Sequence, residues 1–109
     1  MKQFSPGSEI PMEDMADGIK RQILGYTPNL MMVKVYFEKG AVAASHSHPH
    51  QQVGYILKGK FEFKIEDEKK VLYEGDCFIV QDNLTHGAVC LEEGIILDTF
   101  SPMREDFLN

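Results

Sequence analysis

Residues 40–59 read Gly40-Ala-Val-Ala-Ala-Ser-His46-Ser-His48-Pro-His50-Gln-Gln52-Val-Gly-Tyr-Ile-Leu-Lys-Gly59, and this stretch decides the fold. Val42–Ser45 and Val53–Leu57 are short β-type runs flanking a polar centre that holds three of the chain's four histidines. His46 and His48 are two residues apart, so on a strand both imidazoles share one face. Gln52 points the same way if Pro49 preserves the register. Such a set converges on one cation when a facing strand adds a ligand, and His86 is the one histidine left to do that. The other reading of the same residues is a polar turn with solvated histidines. His50, directly after Pro49, belongs to that polar patch.

Outward from this centre, β-type runs follow one another at Ile19–Leu24, Leu30–Glu38, Phe61–Glu66, Val71–Leu72, Cys77–Val80, His86–Leu91 and Ile95–Phe100. Met31, Val33, Val35 and Phe37 alternate onto one face. Phe61, Phe63 and Ile65 do the same, with Glu62, Lys64 and Glu66 turned away. Breakers separate the runs at Tyr26-Thr-Pro-Asn29, Lys39-Gly40, Lys58-Gly-Lys60, Glu66–Lys70, Glu74-Gly-Asp76 and Glu92-Glu-Gly94. Short strands at this spacing, without a long amphipathic helix, predict an all-β sandwich or barrel. Residues 1–18 read as an irregular N-terminal arm and 19–109 as a single domain. The tail from Ser101 is either one helical turn or extended.

At 109 residues the chain is one domain, and 43% hydrophobic residues suit a globular fold rather than a disordered one. Eleven basic against seventeen acidic residues leave a net charge of −6, a poor match for a phosphate backbone, so no nucleic-acid partner is expected. No run approaches the ~20 apolar residues of a membrane helix, and Met1–Pro11 lacks the apolar core of a secretory signal. The expected location is the cytoplasm. Cys77 and Cys90 make no metal or disulfide spacing and read as buried small hydrophobes.

The residues of the central stretch resemble the first cupin motif. Gly40, five residues, His46, one, His48, three, Gln52, six and Gly59 match it at every spacing, with Gln52 where that motif usually has Glu. The second motif is partly degraded: Gly75-Asp76 and His86 fit, while Gln81, Asn83 and Cys90 replace the usual Pro, Gly and Asn. The resemblance implies a cupin double-stranded β-helix, a jelly-roll barrel. It also implies one divalent metal ion (Ni, Zn, Fe or Mn) held by His46, His48, Gln52 and His86. A carboxamide in place of a carboxylate leaves the full charge of a dication on the site, which favours an anionic substrate oxygen and Lewis-acid chemistry. The alternative for Gln52 is a hydrogen bond within the barrel.

A narrower resemblance is carried by Leu30-Met-Met-Val33, His46-Ser-His-Pro-His50 and Asp98-Thr-Phe-Ser-Pro-Met-Arg-Glu-Asp-Phe107. Together they are similar to the KdgF-type cupins of pectin and alginate breakdown. That likeness implies a metal-dependent enzyme that converts 4,5-unsaturated uronate monomers to linear 5-keto-4-deoxyuronate. Asp98 and Arg104 are its implied catalytic residues, with Arg104 and Phe100 binding the substrate. Competing readings are another metal-dependent cupin enzyme (a dioxygenase or sugar isomerase) and a non-catalytic sugar-acid-binding cupin.

The residues themselves agree. Asp98 interrupts the apolar run Ile95–Phe100, where a carboxylate is costly unless paired or useful. On alternation it shares a face with Ile96 and Phe100, unless it turns outward to a salt bridge. Arg104 is one of two arginines against nine lysines, and a planar fork suits a carboxylate, though a tail arginine can also be a surface charge. Phe100 is either an apolar wall for a sugar ring or core. With a net charge of −6, an anionic substrate has to be held by local charge, a dication and Arg104. Edge strands of a small barrel need cover, so a homodimer through the N-terminal strands is expected.

Overall fold

A computed structural model describes residues 3–108; Met1 and Lys2 of the expected arm and Asn109 of the expected domain lie outside the described residues. Eight strands account for most of the chain: β1 (Glu13–Asp14), β2 (Ile19–Thr27), β3 (Leu30–Phe37), β4 (Val42–His46), β5 (Gln51–Ile65), β6 (Glu68–Tyr73), β7 (Cys77–Val80) and β8 (His86–Ser101). Short 3-10 turns cover Gly7–Glu9 and Glu105–Leu108, the second resolving the tail as a helical turn.

Every ladder is antiparallel, and together they form one sheet that folds back on itself. The long strands β5 and β8 make the fold. Gln51–Ile56 pairs with Ile96–Ser101 in one layer, extended by β3, β2 and β1 on one side and β7 on the other. Lys60–Ile65 pairs with His86–Glu92 in the second layer, flanked by β4 and β6. This is the jelly-roll barrel. Each of the long strands replaces two expected runs, because the Lys58-Gly-Lys60 and Glu92-Glu-Gly94 breakers bend the strands without ending them. Gly59 has φ +92, and a Cβ there would stand 2.5–2.7 Å from the Glu92 and Glu93 carbonyls and Gly94 Cα. A Cβ on Gly94 would be 2.4 Å from the Lys58 carbonyl. The two glycines let the bends nest, and the ladder shifts register there instead of breaking.

Between the layers, Phe37, Ile56, Phe61, Phe63, Phe78, Val80 and Ile96 form the main core, joined by Cys90. Each contributes ~1.5–3 kcal/mol if it is a large apolar side chain fully removed from water. Met31, Val33 and Phe100 form a second cluster, against which Ile23, Met103 and Phe107 pack. The alternation Met31, Val33, Val35, Phe37 faces inward as the period-two pattern requires. Cys77 corrects an expectation: it is exposed. In β7 the inward positions go to Phe78 and Val80, so the flanking Cys77 and Ile79 face out. Among the described residues no helix is long and apolar enough to cross a membrane, which says nothing of strands.

Candidate active site

The four histidines come from three places. His46 ends β4 and His86 begins β8, and they are direct partners in the ladder, with ring centroids 4.5 Å apart. His48 does not share a strand with His46. Pro49 leaves its neighbours in a turn between β4 and β5, and from there the His48 ring lies 5.5 Å from that of His46 and 4.8 Å from that of His86. One ligand nitrogen from each of the three falls within 4.8 Å of the others.

Their tautomers follow from their neighbours. Nδ1 of His46 faces the Ala44 carbonyl at 2.9 Å, that of His86 the Leu84 carbonyl at 2.9 Å, and that of His48 the His50 carbonyl at 3.1 Å. A carbonyl only accepts, so each Nδ1 carries the proton and each Nε2 keeps its lone pair. Backbone carbonyls behind the rings are the arrangement that orients metal-ligating imidazoles. His50 therefore helps through its main chain, and its own ring stays outside the trio.

Gln52, the second residue of β5, sits directly across the ladder from Phe100 and two positions from the Gly54–Asp98 pair. Its Nε2 donates to Asp98 Oδ1 at 2.9 Å, which turns Oε1 toward His48 Nε2, 3.1 Å away. Two lone pairs then face each other across 3.1 Å. A second proton on His48 is disfavoured, because burial, then Arg104 and His86, pull its pKa down to about 4. A shared cation resolves the contact: two donors side by side on one ion, with bonds of ~2.1 Å, stand about 3 Å apart. The Nε2 of His86 makes the same point, being buried without a hydrogen-bond partner among the described residues. The residues present fit a divalent ion.

A cavity of about 240 Å³ opens beside these groups, lined by His46, Gln52 and His86 together with Asp98, Phe100 and Arg104. Asp98 faces inward with Ile96 and Phe100, as alternation predicted, and not to a surface salt bridge. The residue is half-buried, on the wall of the cavity. Burial pushes its pKa up to about 6, against the opposing pull of the Gln52 hydrogen bond and Arg104. Phe100 is at once core and wall: it is buried, and its ring lies 5.8 Å from that of His48.

Arg104 is also buried, so it is no surface tail charge. Its guanidinium lies against the Phe107 ring at 4.3 Å and the Phe100 ring at 5.1 Å. The bidentate edge expected to hold a substrate is engaged by the chain itself: Nε and Nη2 donate to Asp106 Oδ1 and Oδ2 at 3.1 and 2.9 Å. That pairing holds the Asp106 carboxyl below its usual range. Cys90, four residues after His86, packs in the main core and is not part of the cavity wall.

Sequence reasoning missed Arg21, Asp106 and Phe107. Arg21 had a readable signal, a charged residue alternating with Ile19 and Ile23 on the inward face of β2. Asp106 had none, because an i, i+2 ion pair depends on the turn that follows Arg104.

Comparison with known proteins agrees with the fold. The model of the cupin domain family matches residues 33–100. The pectin degradation protein KdgF of Dickeya dadantii is 46% identical across 99% of this chain and 100% of its own length. Among solved structures, an RmlC-like cupin from Shewanella frigidimarina superposes with a TM-score of 0.95 at 47% identity, covering 98% of this chain and 96% of that one. KdgF from a Halomonas species superposes with a TM-score of 0.93 at 41% identity, covering 98% and 99%. On family model, whole-length identity and superposition together, the chain belongs to the cupin family and, within it, to the KdgF-type pectin-degradation cupins.

Proposed function

We propose that this protein is a metal-dependent enzyme that opens the ring of 4,5-unsaturated uronate monomers, from pectin or alginate breakdown, to linear 5-keto-4-deoxyuronate. The observation that carries the reading is one small cavity in which His46 and His86 of the imidazole trio, the inward carboxylate of Asp98 and the buried Arg104 meet. At about 240 Å³ it is smaller than the ~300–1,000 Å³ of drug-sized sites and suits a single sugar ring. The likeness to proteins named for pectin degradation and as KdgF supports the same substrate class.

His46, His48, Gln52 and His86 would hold the divalent ion, Ni, Zn, Fe or Mn. When bound, it supplies Lewis-acid polarisation of a substrate oxygen, undiminished because all four donors are neutral. The remaining work falls to the chain. Arg104 holds the substrate carboxylate by the part of its guanidinium that Asp106 leaves open. Phe100 presents an apolar face to the ring. Asp98 moves the proton. It accepts the proton of the anomeric hydroxyl as the C1 carbonyl forms and the bond from C1 to the ring oxygen breaks. It returns a proton to C4 as the C5 enol becomes a ketone. Atoms and electrons balance as an isomerisation, so no oxidant is needed. Apolar walls from Val33, Phe63 and Ile96 strengthen these charge interactions by excluding water.

The test is to supply an unsaturated uronate and follow the loss of its ultraviolet absorbance. Turnover by the native protein, and its loss in Asp98→Asn and Arg104→Ala, is expected. Unchanged rates in both variants would remove the roles assigned to them. The same reading includes a homodimer through the N-terminal strands, supported by Tyr26, Leu30 and Met32, which leave an apolar outer face on β2 and β3. Sedimentation equilibrium should give twice the chain mass, and a monomer would contradict it.

A further inference from the structure

The chain has two arginines and nine lysines, and the two cations are sorted by place. Both arginines line the cavity, whereas none of the described lysines does. The Arg21 and Arg104 side chains are 12% and 10% exposed. Both guanidiniums lie against one ring, that of Phe107, at 4.1 and 4.3 Å. A guanidinium is more weakly hydrated than an ammonium, which suits it to such a half-dry wall.

The two arginines differ in what they have left to offer. Arg104 spends its Nε/Nη2 edge on Asp106 in two short bonds. Arg21 is held by one short bond, Nε to Glu13 Oε1 at 3.0 Å. Its Nη2 reaches only the Phe107 carbonyl, at 3.5 Å, the outer limit of a hydrogen bond, and its Nη1 meets no acceptor among the described residues. The Arg21 side chain is mostly, but not wholly, removed from water, and most of its donors are left for an incoming acceptor. The edge left open carries two parallel N–H groups, the geometry that takes a carboxylate through both oxygens. Glu13, on β1, anchors the far side of the side chain and thereby aims that edge.

We infer that Arg21 is a second substrate-binding residue of this cavity, which takes the uronate carboxylate through its Nη1/Nη2 edge alongside Arg104. The inference rests on the uronate reading above. It also gives a reason for placing an arginine on the apolar inward face of β2.

The test compares the metal-loaded native protein with Arg21→Gln and Arg21→Lys. Each is titrated calorimetrically with galacturonate and with its methyl ester, which keeps the ring and masks the charge. Loss of a charge-assisted pair is expected to cut galacturonate affinity by about tenfold or more in Arg21→Gln and leave the ester unchanged. Arg21→Lys, which keeps the charge but not the fork, should fall between them, and it decides the matter if the glutamine variant does not fold. With the unsaturated uronate, KM should rise by a similar factor while kcat stays within about threefold. Equal losses for acid and ester would show that Arg21 only packs the C-terminal turn onto β2, and undiminished preference for the acid would equally overturn the inference. Arg21-dependent acid binding without turnover by the native protein would sink the ring-opening reaction alone.

Discussion

Replacing Asp98 by Asn should make the metal-free protein more stable and the enzyme inactive. The carboxylate is enclosed among Ile96, Phe100 and the β5 ladder, and its pKa rises from 3.8 to about 6, chiefly through burial. A shift of about two units corresponds to about 3 kcal/mol, at ~1.4 kcal/mol per unit, lessened by water in the cavity. The sign follows from proton counting. Below pH 3.8 the group is protonated in both folded and unfolded chains and costs nothing. As pH rises to about 6 the folded chain holds its proton more tightly, so folding stability falls; above that the full penalty applies. Asparagine is neutral throughout and its oxygen still accepts from Gln52. Scanning calorimetry with a chelator should show no gap between the two proteins near pH 3.5. By pH 7 the variant should melt up to about 10 °C higher, at ~4 °C per kcal/mol. The same variant should lose turnover, a case of function held at the expense of stability. Equal melting at pH 7, or a gap that does not change with pH, would refute the reasoning.

Three further substitutions probe neighbouring parts. Gln52→Glu sets a carboxylate where an amide now bonds Asp98 at 2.9 Å; metal affinity should rise about tenfold by calorimetry while turnover drops at least tenfold, because the proton carrier now faces a like charge. Asp106→Asn weakens the pair that fixes the Arg104 fork in place and, by loosening the side of the guanidinium that takes the substrate, should raise KM by about three- to tenfold with kcat nearly unchanged, measured on the unsaturated uronate. Gly54→Ala would put a Cβ 2.0–2.7 Å from three atoms of the Phe78 ring; the forced repacking should cost about 1–3 kcal/mol, read as a lower melting temperature.

Much of this was legible beforehand for a local reason. Inward Met31, Val33 and Phe37, and inward Ile96, Asp98 and Phe100, follow from period two alone, since β-strand faces are set by neighbouring residues. Continuity of β5 and β8 was not legible, because it depends on Gly59 and Gly94 approaching each other across 35 positions of sequence. His48 reached the trio by a different route from the one its spacing implied. An extended strand would have placed it on the His46 face, whereas the turn at Pro49 brings it over His86. For Arg104 the residue was readable and its state was not, since only the folded turn reveals that Asp106 already occupies its fork.

Metal dependence can be measured by stripping the protein with a chelator and titrating a divalent ion back while following the ultraviolet absorbance of the unsaturated uronate. The stripped protein should show no turnover, activity should return linearly and break at one ion per chain, and His86→Ala should show no return. Full turnover without the ion, or an unaltered titration in His86→Ala, would contradict that dependence.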